Sequence, residues 1–70
     1  MSNERHFAVI GRSEGQPTLY HMNQSPANAE RLRQRREAAT GQPCYVVPLA
    51  EWLEDALGAL QRIEAASGTR

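Results

Sequence analysis

The chain has 70 residues, and its eight basic residues, all arginine, balance eight acidic ones to a formal net charge of zero. A length of this order makes one domain with a marginal core, and neutrality speaks against wholesale nucleic-acid binding and against an acidic surface that imitates nucleic acid. Cys44 is the single cysteine, so no internal disulfide can staple the fold; oligomerisation or a bound partner is the staple left to so small a scaffold.

The start, Met1-Ser-Asn-Glu-Arg-His6, has no apolar signal core, and no apolar run approaches the length of a membrane span. The expectation is a soluble, cytoplasmic protein with no membrane contact. Residues 1–70 read as one domain, with 1–4 and 67–70 as flexible ends.

Arg5 to Arg12, RHFAVIGR, is short and rich in β-formers, which predicts a strand. Gly11 to Pro17 is turn chemistry, and Thr18 to Asn23, TLYHMN, is a second strand, so the two make a hairpin. With Ser13-Glu14 as turn centre, Phe7 faces Tyr20 and His6 faces His21. With Glu14-Gly15 as centre, Phe7 faces Met22 and Ala8 faces His21. Strict alternation in either register puts Phe7, Val9, Tyr20 and Met22 on one face. Ala8, Ile10, Leu19 and both histidines then share the other, so both faces carry apolar groups.

Ser25-Pro26 is a helix start, the serine as cap and the proline at the first helical position. The helix should run to about Thr40, with Gly41 as its C-terminal cap. Its apolar stripe is thin: Ala27, Ala29, Leu32 and Ala39. Pro43 to Leu49, PCYVVPL, predicts a third strand with prolines toward its ends, as an edge strand tolerates. Leu49 or Ala50 to Ala66 reads as one long second helix. The fold expected is therefore α+β, ββαβα: a three-stranded sheet, hairpin plus third strand, packed by two helices on one sheet face. A crossover through the first helix sets strand three parallel to strand two, beside strand one or strand two.

The second helix is the most informative element. Leu49, Leu53, Ala56, Leu60 and Ile63 alternate spacings of four and three, a coiled-coil-like seam that suits packing on the sheet. Trp52 and Leu57 flank that stripe, where a partner contact competes with core packing. Gly58 and Ala59 are small enough to let another helix approach. Trp52, Leu57 and Ala59, with Tyr20 of the hairpin, are thus the candidate partner or dimer interface.

Arg31, Arg33, Arg35 and Arg36 fall within two helical turns, with Arg31 and Arg35 four apart and Arg33 and Arg36 three apart. Arg12 in the hairpin turn could join them. A guanidinium fork suits phosphate or carboxylate. The bland alternative is a solvated face with local pairs, Glu30 to Arg33 and Arg33 to Glu37. Opposite charge on the two helices also suits self-complementary assembly, Arg33 or Arg36 of one chain near Glu51, Glu54 or Asp55 of another.

His6, His21 and Cys44 are too few and too scattered for a structural zinc site, and a Cys–His nucleophile needs a cleft and an orienting group. No metal, no cofactor and no catalytic residues are expected. The functional expectation is a non-enzymatic protein-binding module, a homodimer that inhibits, adapts or assists a larger assembly. Free-standing proteins of this size are often encoded by phages or mobile elements, anti-CRISPR proteins among them, which makes an inhibitor of that kind one form of the expectation. The alternative is a nucleic-acid-binding regulator using the arginine-rich first helix.

Overall fold

The computed structural model describes residues 6–68. It shows an α+β fold: β1 (Phe7–Ser13), β2 (Gln16–Asn23), α1 (Pro26–Thr40), β3 (Cys44–Pro48), α2 (Leu49–Glu54) and α3 (Ala56–Gly68). The expected flexible stretch 1–4 lies outside the described residues, as do 69 and 70. Ser67 and Gly68 close α3.

Glu14 and Gly15 turn the hairpin with positive φ at both positions, 54° and 82°. That turn geometry matches the twist of paired strands, and it sets Ser13 opposite Gln16 and Ile10 opposite Leu19. The register then slips, because Val9 pairs with His21 and Ala8 with Met22. Tyr20 is the extra residue, a β-bulge. Alternation fails at that point. Met22 shares the face of Ala8 and Ile10, and His21 shares the face of Phe7 and Val9, the reverse of strict alternation. His21 stands opposite Val9, which separates it from His6.

The sheet order is β2-β1-β3, and β3 runs antiparallel to β1. It is therefore parallel to β2 and sits beside β1. Central β1 is apolar on both faces, so each face needs a cover. On one face α1 sets Ala29 and Leu32 against Phe7, Val9, Tyr20, Cys44 and Val46. On the other, Leu49, Trp52, Leu60 and Ile63 meet Ala8, Ile10, Leu19, Tyr45 and Val47. The helices thus lie on opposite faces, not on one. Apolar residues on both faces of the hairpin were the sign of it.

Ser25 caps α1 by accepting from the Asn28 N–H, Pro26 holds the first position, and Gly41 ends the helix at φ 73°. The expected second helix is broken at Asp55, whose backbone is extended (φ −159°, ψ 83°). Its carboxylate accepts the Gly58 N–H at 3.0 Å, and its C=O accepts the Ala59 N–H at 2.8 Å. Asp55 ends α2 and caps α3. The seam does not survive the break. Leu49 and Leu60 stay in the core, whereas Leu53, expected beside them, is 59 % exposed.

Candidate protein-binding surfaces

Arg33 organises the charge of α1. It is held by Glu30 (Nη2 to Oε2, 2.6 Å) and by Glu37 (Nη1 to Oε2, 3.0 Å), the two local pairs the sequence suggests. The bond to Arg33 holds the Glu30 carboxyl below the usual glutamate range. The Glu30 carboxylate in turn lifts Arg33 above the ordinary arginine value, against the opposing effect of burial. Glu30 and Glu37 are the two carboxylates of α1, so Arg31, Arg35 and Arg36 have no ion-pair partner among the described residues. Arg36 lies over the Tyr20 ring, with Cζ 3.5 Å from the centroid, a cation–π contact.

Tyr20 is engaged at home. Its hydroxyl donates to the Arg12 C=O at 2.9 Å, and its ring passes so close to Gly11 that a Cβ there would sit 3.0 Å from Cε2. Tyr20 is half-buried and bound inside the chain, so little of the expected interface is left at that position. Arg12 leaves the arginine group altogether. Its side chain goes to the opposite face and pairs with Glu64 of α3, Nε to Oε2 at 2.8 Å and Nη2 to Oε1 at 2.9 Å.

His21, Arg35 and Arg36 meet Leu32, Ala39 and Thr40 around a surface pocket of about 340 Å³ between β2 and α1. Its lining carries two arginines and a histidine over Leu32 and Ala39, and no carboxylate. The periodicity of α1 places its own members together, but the bulge at Tyr20 is what delivers His21.

On the other face, Trp52 is half-buried and packs on the core. Ala59 is 2 % exposed, which removes it from the expected interface. Gly58 is small for a local reason, since a Cβ there would collide with the Asp55 carboxylate. Leu57 is 47 % exposed and joins Leu53 on either side of the Asp55 break. Of the expected group, Leu57 is thus exposed, Trp52 half-buried and Ala59 buried, and the large apolar side chains exposed with Leu57 are Leu53 and Met22. Glu51 and Glu54 on α2 have no ion-pair partner among the described residues, and Arg62 reaches Asp55 only at 4.0 Å.

The open β3 edge floors a groove of about 510 Å³ between α1 and α3. Leu49 N–H donates to the His6 C=O at 2.9 Å, while Cys44 N–H turns outward to Glu37 Oε2 at 3.2 Å. Antiparallel alternation therefore points the N–H and C=O of Val46 outward as well. Pro48 has no N–H and Glu37 holds that of Cys44. One residue with both groups free is a poor template for another strand. Cys44 Sγ donates to the Arg33 C=O at 3.3 Å, and burial pushes the thiol up from the ordinary cysteine value. Nδ1 of His6 is buried without a hydrogen-bond partner among the described residues.

Comparison with protein-family models, curated proteins and solved structures finds no match to this chain. No helix among the described residues is long and apolar enough to cross a membrane.

Proposed function

We propose that this chain is a non-enzymatic protein-binding module of the cytoplasm that self-associates and serves as an inhibitor, adaptor or accessory factor of a larger assembly. The observation that carries this reading is the exposure of Leu53 (59 %) and Leu57 (47 %) in a chain whose sheet already has helices on both faces. Two large leucines held in water on either side of the Asp55 break, with Glu51 and Glu54 lacking ion-pair partners among the described residues, combine the apolar and polar groups of a binding surface. Sedimentation equilibrium over a wide concentration range tests it. The expected result is a mass that rises above the monomer and returns to it in the double variant Leu53→Glu, Leu57→Glu, with unchanged circular dichroism. A wild-type chain that stays monomeric at every concentration removes the self-association.

A second reading is favoured by Arg31, Arg35 and Arg36, which α1 leaves without carboxylate partners. They suit the phosphates of a nucleic acid. Binding to generic duplex DNA would then weaken with salt with a log–log slope of about −3, close to one unit per phosphate met by these three arginines. Binding that does not change with salt excludes it.

A further inference from the structure

The exposed leucines and the basic pocket complement each other. The pocket between β2 and α1 carries two apolar side chains, half-buried Leu32 and exposed Ala39, beside the polar ones of its rim, His21, Arg35 and Arg36. The knuckle at the Asp55 break has the inverse composition, with exposed Leu53 and Leu57 and with Glu51 and Glu54 in the same short helix as Leu53. Among the described residues, Arg35, Arg36, Glu51 and Glu54 have no ion-pair partner. Arg33 occupies both carboxylates of α1, which leaves the rim cationic. A chain of zero net charge thus carries separate surfaces of opposite sign, each with an apolar centre.

We infer that the pocket of one copy receives the Leu53–Leu57 knuckle of a second copy, with Glu51 and Glu54 of that copy against Arg35 and Arg36. The inference rests on the self-association proposed above and names the surfaces that meet. The leucines enter over Leu32 and Ala39, where their burial drives the contact. The carboxylates meet guanidinium groups whose planar forks match them. Charge sign sets the orientation, because pocket against pocket and knuckle against knuckle both juxtapose like charges. The contact joins unlike surfaces. It leaves a free pocket on one copy and a free knuckle on the other unless a second contact closes the pair or ring.

Charge reversal with rescue tests the inference. One variant carries Arg35→Glu and Arg36→Glu; the other carries Glu51→Arg and Glu54→Arg. Arg35, Glu51 and Glu54 are exposed and Arg36 is half-buried on the Tyr20 ring, and circular dichroism confirms that each variant folds. Each variant alone should associate at least about 10-fold more weakly than wild type, as expected when charges across an interface are made alike. Their mixture should recover association, because every pocket then faces a knuckle of opposite sign. Sedimentation velocity of each variant and of the mixture reads both effects, and high salt should weaken the wild-type contact. A monomeric wild type overturns the underlying reading together with this one. A wild type that associates while both reversals leave it unchanged, or whose mixture stays dissociated, overturns the pocket–knuckle contact alone. Reversal at Arg35 and Arg36 that abolishes DNA binding without touching self-association overturns it too, and assigns the pocket to phosphate.

Discussion

Arg12 and Glu64 stand 52 residues apart in the chain and meet through two parallel hydrogen bonds of 2.8 and 2.9 Å. The guanidinium also donates Nη1 to the Gly15 C=O at 2.7 Å. One side chain therefore ties the hairpin turn to the last helix. This tether fixes where the end of α3 lies on the sheet, and it takes Arg12 out of the arginine group on α1.

The tether makes stability depend on pH in the acid range. The bond to Arg12 holds the Glu64 carboxyl below the usual glutamate range, and the bond to Arg33 does the same for Glu30. A lowered folded-state value contributes stability that is complete above the unfolded value and lost as pH falls through the folded one. Thermal unfolding should show the melting temperature falling as pH drops below the usual glutamate range. Glu64→Gln should flatten that fall while lowering the melting temperature slightly at neutral pH. Equal acid sensitivity in the variant would show that the pair contributes nothing.

Asp55 and Gly58 should behave as a coupled pair. Asp55→Ala removes the cap on α3 and should cost about 1 kcal/mol. Gly58→Ala alone offers a helix-propensity gain of about 0.5–1 kcal/mol, but its Cβ displaces the capping carboxylate and the two effects nearly cancel. In the Asp55→Ala background the obstruction is gone, so Gly58→Ala should stabilise by that full propensity gain. Urea unfolding of the four proteins in the cycle gives the coupling. Additive effects would mean that Asp55 does not cap.

Leu53 and Leu60 lie seven residues apart on the expected seam, yet their truncations should differ sharply. Leu60 is fully buried, and Leu60→Ala should cost about 2–5 kcal/mol. For a chain of this length, whose total stability is about 4–10 kcal/mol, that is a large fraction. Leu53→Ala should stay within about 0.5 kcal/mol. Chemical denaturation at low protein concentration, below any self-association, separates the two.

Cys44 should be slow to react. It is 2 % exposed, and burial raises its thiol above the ordinary value, which lowers the thiolate fraction that attacks an alkylating agent. Alkylation at neutral pH should be much slower than for a free thiol and reach the normal rate in denaturant. Fast labelling of the folded chain would reopen a nucleophilic role for this residue.

Much of the fold was legible because much of it is local. Ser25-Pro26 and Gly41 bound α1 through groups a few residues apart, Glu14-Gly15 turns the hairpin, and proline confines β3. The Arg33 pairs with Glu30 and Glu37 follow from helical spacing alone. The candidate surfaces were less legible. Leu57 was singled out by its place beside the stripe, but Leu53 was assigned to the core because an unbroken helix was assumed across Asp55. Aspartate is a favoured cap residue, but Asp55 lay hidden inside an apolar pattern that continued on both sides. His21 was misplaced for a comparable reason: nothing near Tyr20 announces a bulge.

The amino-acid order by itself determined the kinds and sequence of the elements through β3, the caps of α1, the apolar character of both faces of β1 and the charge economy of α1. Each of these depends on residues within a turn or a strand of one another. The tertiary structure alone decided which helix covers which face, the register slip that turns His21 toward α1, the reach of Arg12 to Glu64 and the outward placement of Leu53 and Leu57. Those depend on groups far apart in the chain competing for the same space. A β1 strand apolar on both sides requires two covers, and only packing in three dimensions assigns them.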